Sequence, residues 1–184
     1  MQVYQIKITI EESKPAIWRR VLVSPEELLY DLHYVIQAVV GWEDSHQHQF
    51  IKDKKYYIEK QEGDEEWDDT NCVDYNEMTI RDLLKKESDK MRYEYDFGDG
   101  WMHEVLLEKI IEADDKGEYP ICIDGEQNCP PEDCGGMPGY YHLLDVLTKK
   151  DHAEYDETVE WLGDDFDQAF FSVDESNEVL REVF

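Results

Sequence analysis

Two histidines stand two residues apart in Gly41-Trp42-Glu43-Asp44-Ser45-His46-Gln47-His48. At the start of a strand, that spacing turns both imidazoles to one face, a geometry suited to a shared metal ion. A second segment, Tyr95–His103, brings Asp96, Asp99, His103 and two glycines into one short stretch. Asp and Gly are ordinary in tight turns, but a turn requires neither the imidazole of His103 nor the indole of Trp101. The third segment runs from Cys122 to Gly136 and contains Cys129-Pro130-Pro131-Glu132-Asp133-Cys134. Its cysteine spacings do not match the paired CxxC knuckles of structural zinc sites. The two prolines stiffen the backbone and Gly135-Gly136 permits close approach, so Glu132 and Asp133 are expected on a rigid loop. His46, His48, Asp96, Asp99 and His103 are therefore the candidate metal ligands, with a divalent metal as the candidate cofactor. Glu132 and Asp133 would be the nearby carboxylates available as general base. Each segment also has an architectural reading: polar His at a sheet edge, an Asp-Gly turn, and a Pro-stiffened loop with free thiols. There is no GxxxxGK[ST], no strand–GxGxxG–helix, no GxSxG and no HExxH.

The elements that must position these segments are legible in part. Tyr4, Ile6, Ile8 and Ile10 alternate with polar residues, the period of a half-buried strand, and Ile17–Val23 follows as a hairpin partner. Ser24-Pro25-Glu26-Glu27 has the form of a capping box with Pro at the first helical position. Leu28, Leu29, Leu32, Val35, Ile36, Val39 and Val40 form an apolar stripe that ends at Gly41. His46–Ile51 and Tyr56–Ile58 read as strands joined by a polar turn. Residues 59–71 read as an acidic loop, Thr79–Leu84 as a short helix, and Asp114–Glu118 as a turn. Arg92–Phe97 and His103–Ile111 read as a hairpin around Gly98-Asp99-Gly100. Pro120–Gly139 reads as irregular. Helices are expected near Tyr140–Lys149, Asp156–Leu162 and Asp174–Val183. The order predicts an α+β fold: a mostly antiparallel sheet with a main helix packed on it, then C-terminal helices. Residues 1–184 read as one domain, with an acidic helical part at 151–184.

Charge narrows the function classes. The chain of 184 residues has 46 Asp+Glu against 18 Lys+Arg, a net charge of −28 at pH 7. Direct grip on a nucleic-acid backbone needs the opposite surplus, and an anionic membrane surface would repel such a chain. The acidity is uneven: residues 1–58 hold 8 acids and 7 bases, whereas residues 59–184 hold 38 acids and 11 bases. An acidic face of that kind suits a basic protein partner, a mimic of nucleic acid, or simple solvation. No apolar run approaches the ~20 residues of a membrane span. The N-terminus shows no secretory signal, so a cytoplasmic location is expected. In that compartment the four cysteines are not expected to form a disulfide framework.

Several short motifs occur together in a fixed order. They are Trp18-Arg19-Arg20, Leu32-His33, Gly41-Trp42 with His46-x-His48-x-Phe50, and Tyr95-Asp96-Phe97-Gly98-Asp99-x-Trp101-x-His103. Pro130-Pro131-Glu132-Asp133-x-Gly135-Gly136, Gly139-Tyr140, Trp161-Leu162-Gly163 and Asp165-Phe166-Asp167 follow. Across residues 2–172 this set resembles the plasmid pRiA4b ORF-3-like family. The resemblance implies an α+β roll and supplies no established catalytic residues. Some members carry resolvase or repressor labels, but this chain shows no helix-turn-helix, basic patch or serine recombinase context. The expected function is a non-enzymatic binding or adaptor domain with a fixed pocket. Trp18, Arg20, Trp42, Trp101, Glu132, Asp133 and Tyr140 are its candidate pocket residues. A metal-dependent hydrolase is the alternative, and an acidic nucleic-acid mimic the second alternative.

Overall fold

Alternating burial sets the first strand. In the computed structural model, which describes residues 1–60, 71–113 and 117–184, β1 (Gln2–Ile10) buries Tyr4, Ile6, Ile8 and Ile10. Gln5, Lys7 and Thr9 between them stay half-buried, as the two-residue period of a strand demands. β2 (Trp18–Val23) returns antiparallel, with Tyr4 opposite Val23 and Thr9 opposite Trp18.

α1 (Leu29–Val40) follows. Its β-branched Val35, Ile36, Val39 and Val40 cost helix propensity by up to about 0.7 kcal/mol each, whereas burying each such side chain contributes about 1.5–3 kcal/mol. Burial wins, and Leu29, Leu32, Val35 and Ile36 are fully enclosed. The helix starts later than the Ser24 capping box suggests. Ser24 Oγ accepts from Glu26 N–H in a local turn, and the first turn of α1 is closed instead by Asp31, whose carboxylate accepts the Leu28 N–H at 3.1 Å. Residues 27–29 are held by the segment before α2 (Ile80–Leu83): Leu28 bridges Thr79, and Leu29 N–H donates to Met78 O. That tertiary pairing keeps the backbone extended where the local signal favours helix.

The remaining strands are β3 (His48–Lys52), β4 (Lys55–Ile58), β5 (Cys72–Asp74), β6 (Lys90–Tyr95), β7 (Trp101–Glu112) and β8 (Ile121–Glu126). The helices α3 (Gly136–Leu147), α4 (Tyr155–Leu162) and α5 (Val173–Val183) complete the order. Among the described residues one eight-stranded sheet results, in the order β5-β4-β3-β6-β7-β1-β2-β8. Every neighbouring pair is antiparallel except β4 with β5. The chain is thus α+β, with α1 and α5 packed together and α5 also against β8. The Asn177 amide of α5 bonds both the N–H and the C=O of Cys122, each at 2.8 Å, which occupies part of the β8 edge. No helix among the described residues is long and apolar enough to cross a membrane.

Two expectations change here. β3 begins at His48, so His46 lies in the preceding loop and the same-face rule does not join the two histidines. Pro120–Gly139 is not irregular throughout: Ile121–Glu126 forms β8 on Val21 and Leu22 of β2, and α3 already begins at Gly136. Composition rich in Pro, Gly and Cys hid both elements, because strand pairing is supplied by a partner distant in sequence. The short parallel strand β5 had no local signal. The acidic loop at 59–71 and the turn at Asp114–Glu118 lie largely outside the described residues.

Candidate functional site

Three loops meet beyond one end of the sheet: residues 41–47 after α1, 96–100 between β6 and β7, and 127–135 between β8 and α3. Gly41 ends α1 in the left-handed conformation, with φ 86°. Trp42 then packs on Tyr95 and Trp101 and donates its indole N–H to Pro130 O at 2.9 Å. Glu132 binds two loops together: it accepts from Glu43 N–H at 2.9 Å and from the Tyr95 hydroxyl. Tyr95 in turn accepts from Ser45 N–H at 2.9 Å. Asp99 accepts from Gly135 N–H at 2.9 Å. A Cβ on Gly136 would lie 2.4 Å from Asp99 O, so only glycine permits that approach. Arg19 supports the same loop from below. It is buried and donates to Val39 O, Trp18 O and Glu126 O, with Cys129 Sγ at 3.0 Å. Burial pushes the Cys129 thiol up to about 11.

Each loop contributes an aspartate in the left-handed region: Asp44 at φ 56°, Asp96 at 53° and Asp133 at 59°. Asp is among the few non-glycine residues that enter this region routinely. Asp96 closes its own turn through Oδ1, which accepts from Gly98 N–H at 2.9 Å and Asp99 N–H at 3.3 Å. That leaves Oδ2 facing His46 Nε2 at 3.8 Å, and Asp133 Oδ1 lies 3.0 Å from the same nitrogen. His46 Nε2 is buried, and neither carboxylate is aligned to form a hydrogen bond with it.

His48 takes part in a different group, with His33 and Asp44. The Asp44 N–H donates to Gln37 Oε1 at 3.1 Å, which turns the Gln37 amide nitrogen to Tyr93 Oη at 2.9 Å. Tyr93 Oη accepts that bond and directs its own hydrogen to His33 Nδ1 at 2.7 Å. Neutral His33 therefore carries its proton on Nε2 and donates it to Asp44 Oδ1 at 2.9 Å. The network closes into a ring. His48 stacks on His33, with centroids 3.6 Å apart and planes within 5°, and its Nε2 meets Tyr75 Oη at 2.6 Å. Burial lowers the His33 pKa to about 4. Burial and then the neighbouring His33 lower that of His48 to about 3. Burial raises the pKa of Asp44. Both rings are thus neutral at pH 7, which removes the repulsion that stacked imidazolium ions would suffer. One atom from each of His33, Asp44 and His48 lies within 4.8 Å of the others. A metal ion must lie in the plane of each imidazole it binds, and two parallel planes 3.6 Å apart share no such point. His33 also has both nitrogens engaged, so this group is a hydrogen-bond network.

Between the two groups opens a cavity of about 260 Å³. Asp44 and Glu59 line it with carboxylates, Tyr30, Tyr34 and Phe97 with aromatic rings, and His33, His46 and His48 with imidazoles. The Tyr30 and Tyr34 hydroxyls bond each other at 2.9 Å.

This assembly of separate loops accounts for the motif set, and comparison with known proteins finds the same set elsewhere. The plasmid pRiA4b ORF-3-like protein family matches residues 2–175. The chain belongs to this family. It is similar to the uncharacterized protein y4hQ of Sinorhizobium fredii, at 33% identity over 184 residues, 98% of this chain and 92% of that one. It is also similar to the crystal structure of MM3350 from Methanosarcina mazei Go1, a protein of unknown function. There the identity is 37% and the TM-score 0.84, covering 95% of this chain and 97% of the other. Membership of the pRiA4b ORF-3-like family sets the fold, whereas function resides in the site that the fold carries.

Of the residues that sequence singled out, the structure brings together His46, Asp96 and Asp133, with Trp42, Asp99 and Glu132 fastening their loops. His103 stays in the core: it is fully buried, its Nδ1 faces Trp101 O at 3.2 Å, and its ring packs on Trp42 and Tyr93. Trp101 is buried beside it, and its indole nitrogen has no hydrogen-bond partner among the described residues. Tyr140 is fully buried in α3 and reaches Asn128 O at 3.5 Å. Trp18 is buried and Arg20 half-buried on β2, and neither lines the cavity. Arg20 pairs with Glu108 at 2.7 Å and Asp124 at 2.6 Å, and its guanidinium lies 4.7 Å from the Trp18 ring. All four cysteines are free thiols. His33 and Gln37 were missed as site residues. Their signal was present: two polar residues four apart on the buried stripe of α1.

Proposed function

We propose that the protein is a non-enzymatic binding domain, cytoplasmic, whose pocket holds a positively charged group presented by a basic protein partner. The reading is carried by the lining of the cavity. Among the described residues, two carboxylates and three aromatic rings face it, and no Lys or Arg does. Carboxylates with aromatic faces are how a site holds an ammonium or guanidinium head. The volume, about 260 Å³, lies below the 300–1,000 Å³ or so of drug-sized sites and suits one side chain rather than a nucleotide. The closed ring from Asp44 through Gln37, Tyr93 and His33 fixes the Asp44 carboxylate before a ligand arrives, which lowers the ordering cost of binding. The net charge of −28 attracts a basic partner to the protein as a whole and repels nucleic acid.

The test is calorimetric titration of the full chain with an arginine-rich peptide and with a neutral peptide of equal length. The arginine peptide is expected to bind and the neutral one not. Asp44→Asn is expected to weaken binding about tenfold, the cost of losing one charged hydrogen-bond partner. Equal binding of both peptides, or unchanged affinity in Asp44→Asn, defeats the reading, because diffuse surface attraction is indifferent to one pocket carboxylate.

A further inference from the structure

The junction of the three loops holds a second acceptor, distinct from the carboxylates that line the pocket. His46 Nε2, Asp96 Oδ2 and Asp133 Oδ1 converge, all within 4.8 Å of one another. Two carboxylates this close repel each other. Among the described residues, His46 is the one side chain able to carry positive charge within ion-pair range of either. Yet its buried nitrogen makes no hydrogen bond to them. The three groups point at a common centre without satisfying one another.

The distances suit a metal ion. Ligand bonds of about 2.0–2.2 Å at tetrahedral or octahedral angles place neighbouring ligand atoms roughly 3.0–3.5 Å apart. The Asp133–His46 separation of 3.0 Å already fits, and the Asp96–His46 separation of 3.8 Å needs a few tenths of an ångström of closure. Asp133 is free to adjust, with a side chain 71% exposed. Asp96 is oriented for the task, since its Oδ1 is committed to the turn and its Oδ2 is not. An imidazole with two carboxylates favours first-row ions over calcium, which takes oxygen ligands alone.

We propose that His46, Asp96 and Asp133 bind one first-row divalent cation, zinc or manganese, at the rim of the cavity. Trp42, Tyr95, Glu132 and Asp99 act as positioning residues by holding the three loops in register. The site shares the imidazole of His46 with the pocket wall but uses neither Asp44 nor Glu59. The pocket reading and this one therefore fail separately.

The test uses the full chain stripped with chelator and titrated calorimetrically with zinc, manganese and calcium salts. Zinc or manganese is expected to saturate one site, with calcium at least about tenfold weaker. Asp133→Asn and His46→Gln are each expected to weaken zinc binding at least about tenfold, while Asp156→Asn, an exposed acid on α4, leaves it unchanged. Asp133 is exposed enough that its variant keeps the fold, which circular dichroism checks. Calcium binding as tightly as zinc, or Asp133→Asn and His46→Gln both retaining full affinity, overturns the proposal and assigns cation binding to the acidic surface.

Discussion

Acidification should unfold this protein partly through one core histidine. His103 is fully enclosed by Trp42, Tyr93 and Trp101, and burial lowers its pKa from 6.5 to about 4. In the unfolded chain it protonates near 6.5, whereas in the folded chain it stays neutral until about pH 4. Its contribution to stability is therefore intact above pH 6.5 and is lost progressively as the pH falls toward 4. The full difference amounts to about 3 kcal/mol, and by pH 5 roughly 2 kcal/mol of it is gone. Other titrations run in the same window: His33 and His48 act in the same direction, and relief of repulsion among the 46 acids acts in the opposite one. A His103→Gln variant shares all of these and lacks only the His103 term. Urea unfolding of both proteins at pH 7.5 and pH 5 isolates it, and stays above the pI of about 4.3. The stability advantage of the parent over the variant should shrink by about 2 kcal/mol between the two pH values. An advantage that does not change with pH would refute the reasoning, whatever its absolute size.

Other perturbations probe the scaffold and the coupling of the two sites. Arg19→Met removes the donor to three backbone carbonyls in the core and should cost about 3 kcal/mol or more in urea unfolding. Arg19→Lys should recover little of that, because an ammonium cannot reproduce the guanidinium fork. Gly136→Ala drives a Cβ into Asp99 O at a φ of 67°, so it should destabilise by about 2 kcal/mol or more and weaken zinc binding through the displaced loop. Zinc at His46 places positive charge on the cavity rim, so saturating zinc should weaken binding of the arginine peptide. The peptide should weaken zinc by the same factor in reciprocal titrations, and independence of the two ligands would separate the sites.

The sequence by itself determined the α+β class, the first hairpin, the main helix and the three segments that build the junction. Those features are local: alternation in Tyr4–Ile10, a 3.6-residue stripe in Leu29–Val40, and Gly, Pro and Asp where the backbone must turn. It could not determine which segment meets which. The spacing of His46 and His48 suggests partners, yet β3 begins at His48, and the two imidazoles join different groups. Asp133 stands 87 positions beyond His46 and reaches it because β8 pairs with β2 and carries the following loop back to Trp42 and Tyr95. Likewise His33 and Gln37 gain their meaning from Tyr93, a residue of β6 that only the packing of α1 on the sheet brings within hydrogen-bond reach. Periodicity encodes which face of an element is buried; the tertiary structure decides what that face meets, because sheet order and loop closure are set by contacts distant along the chain.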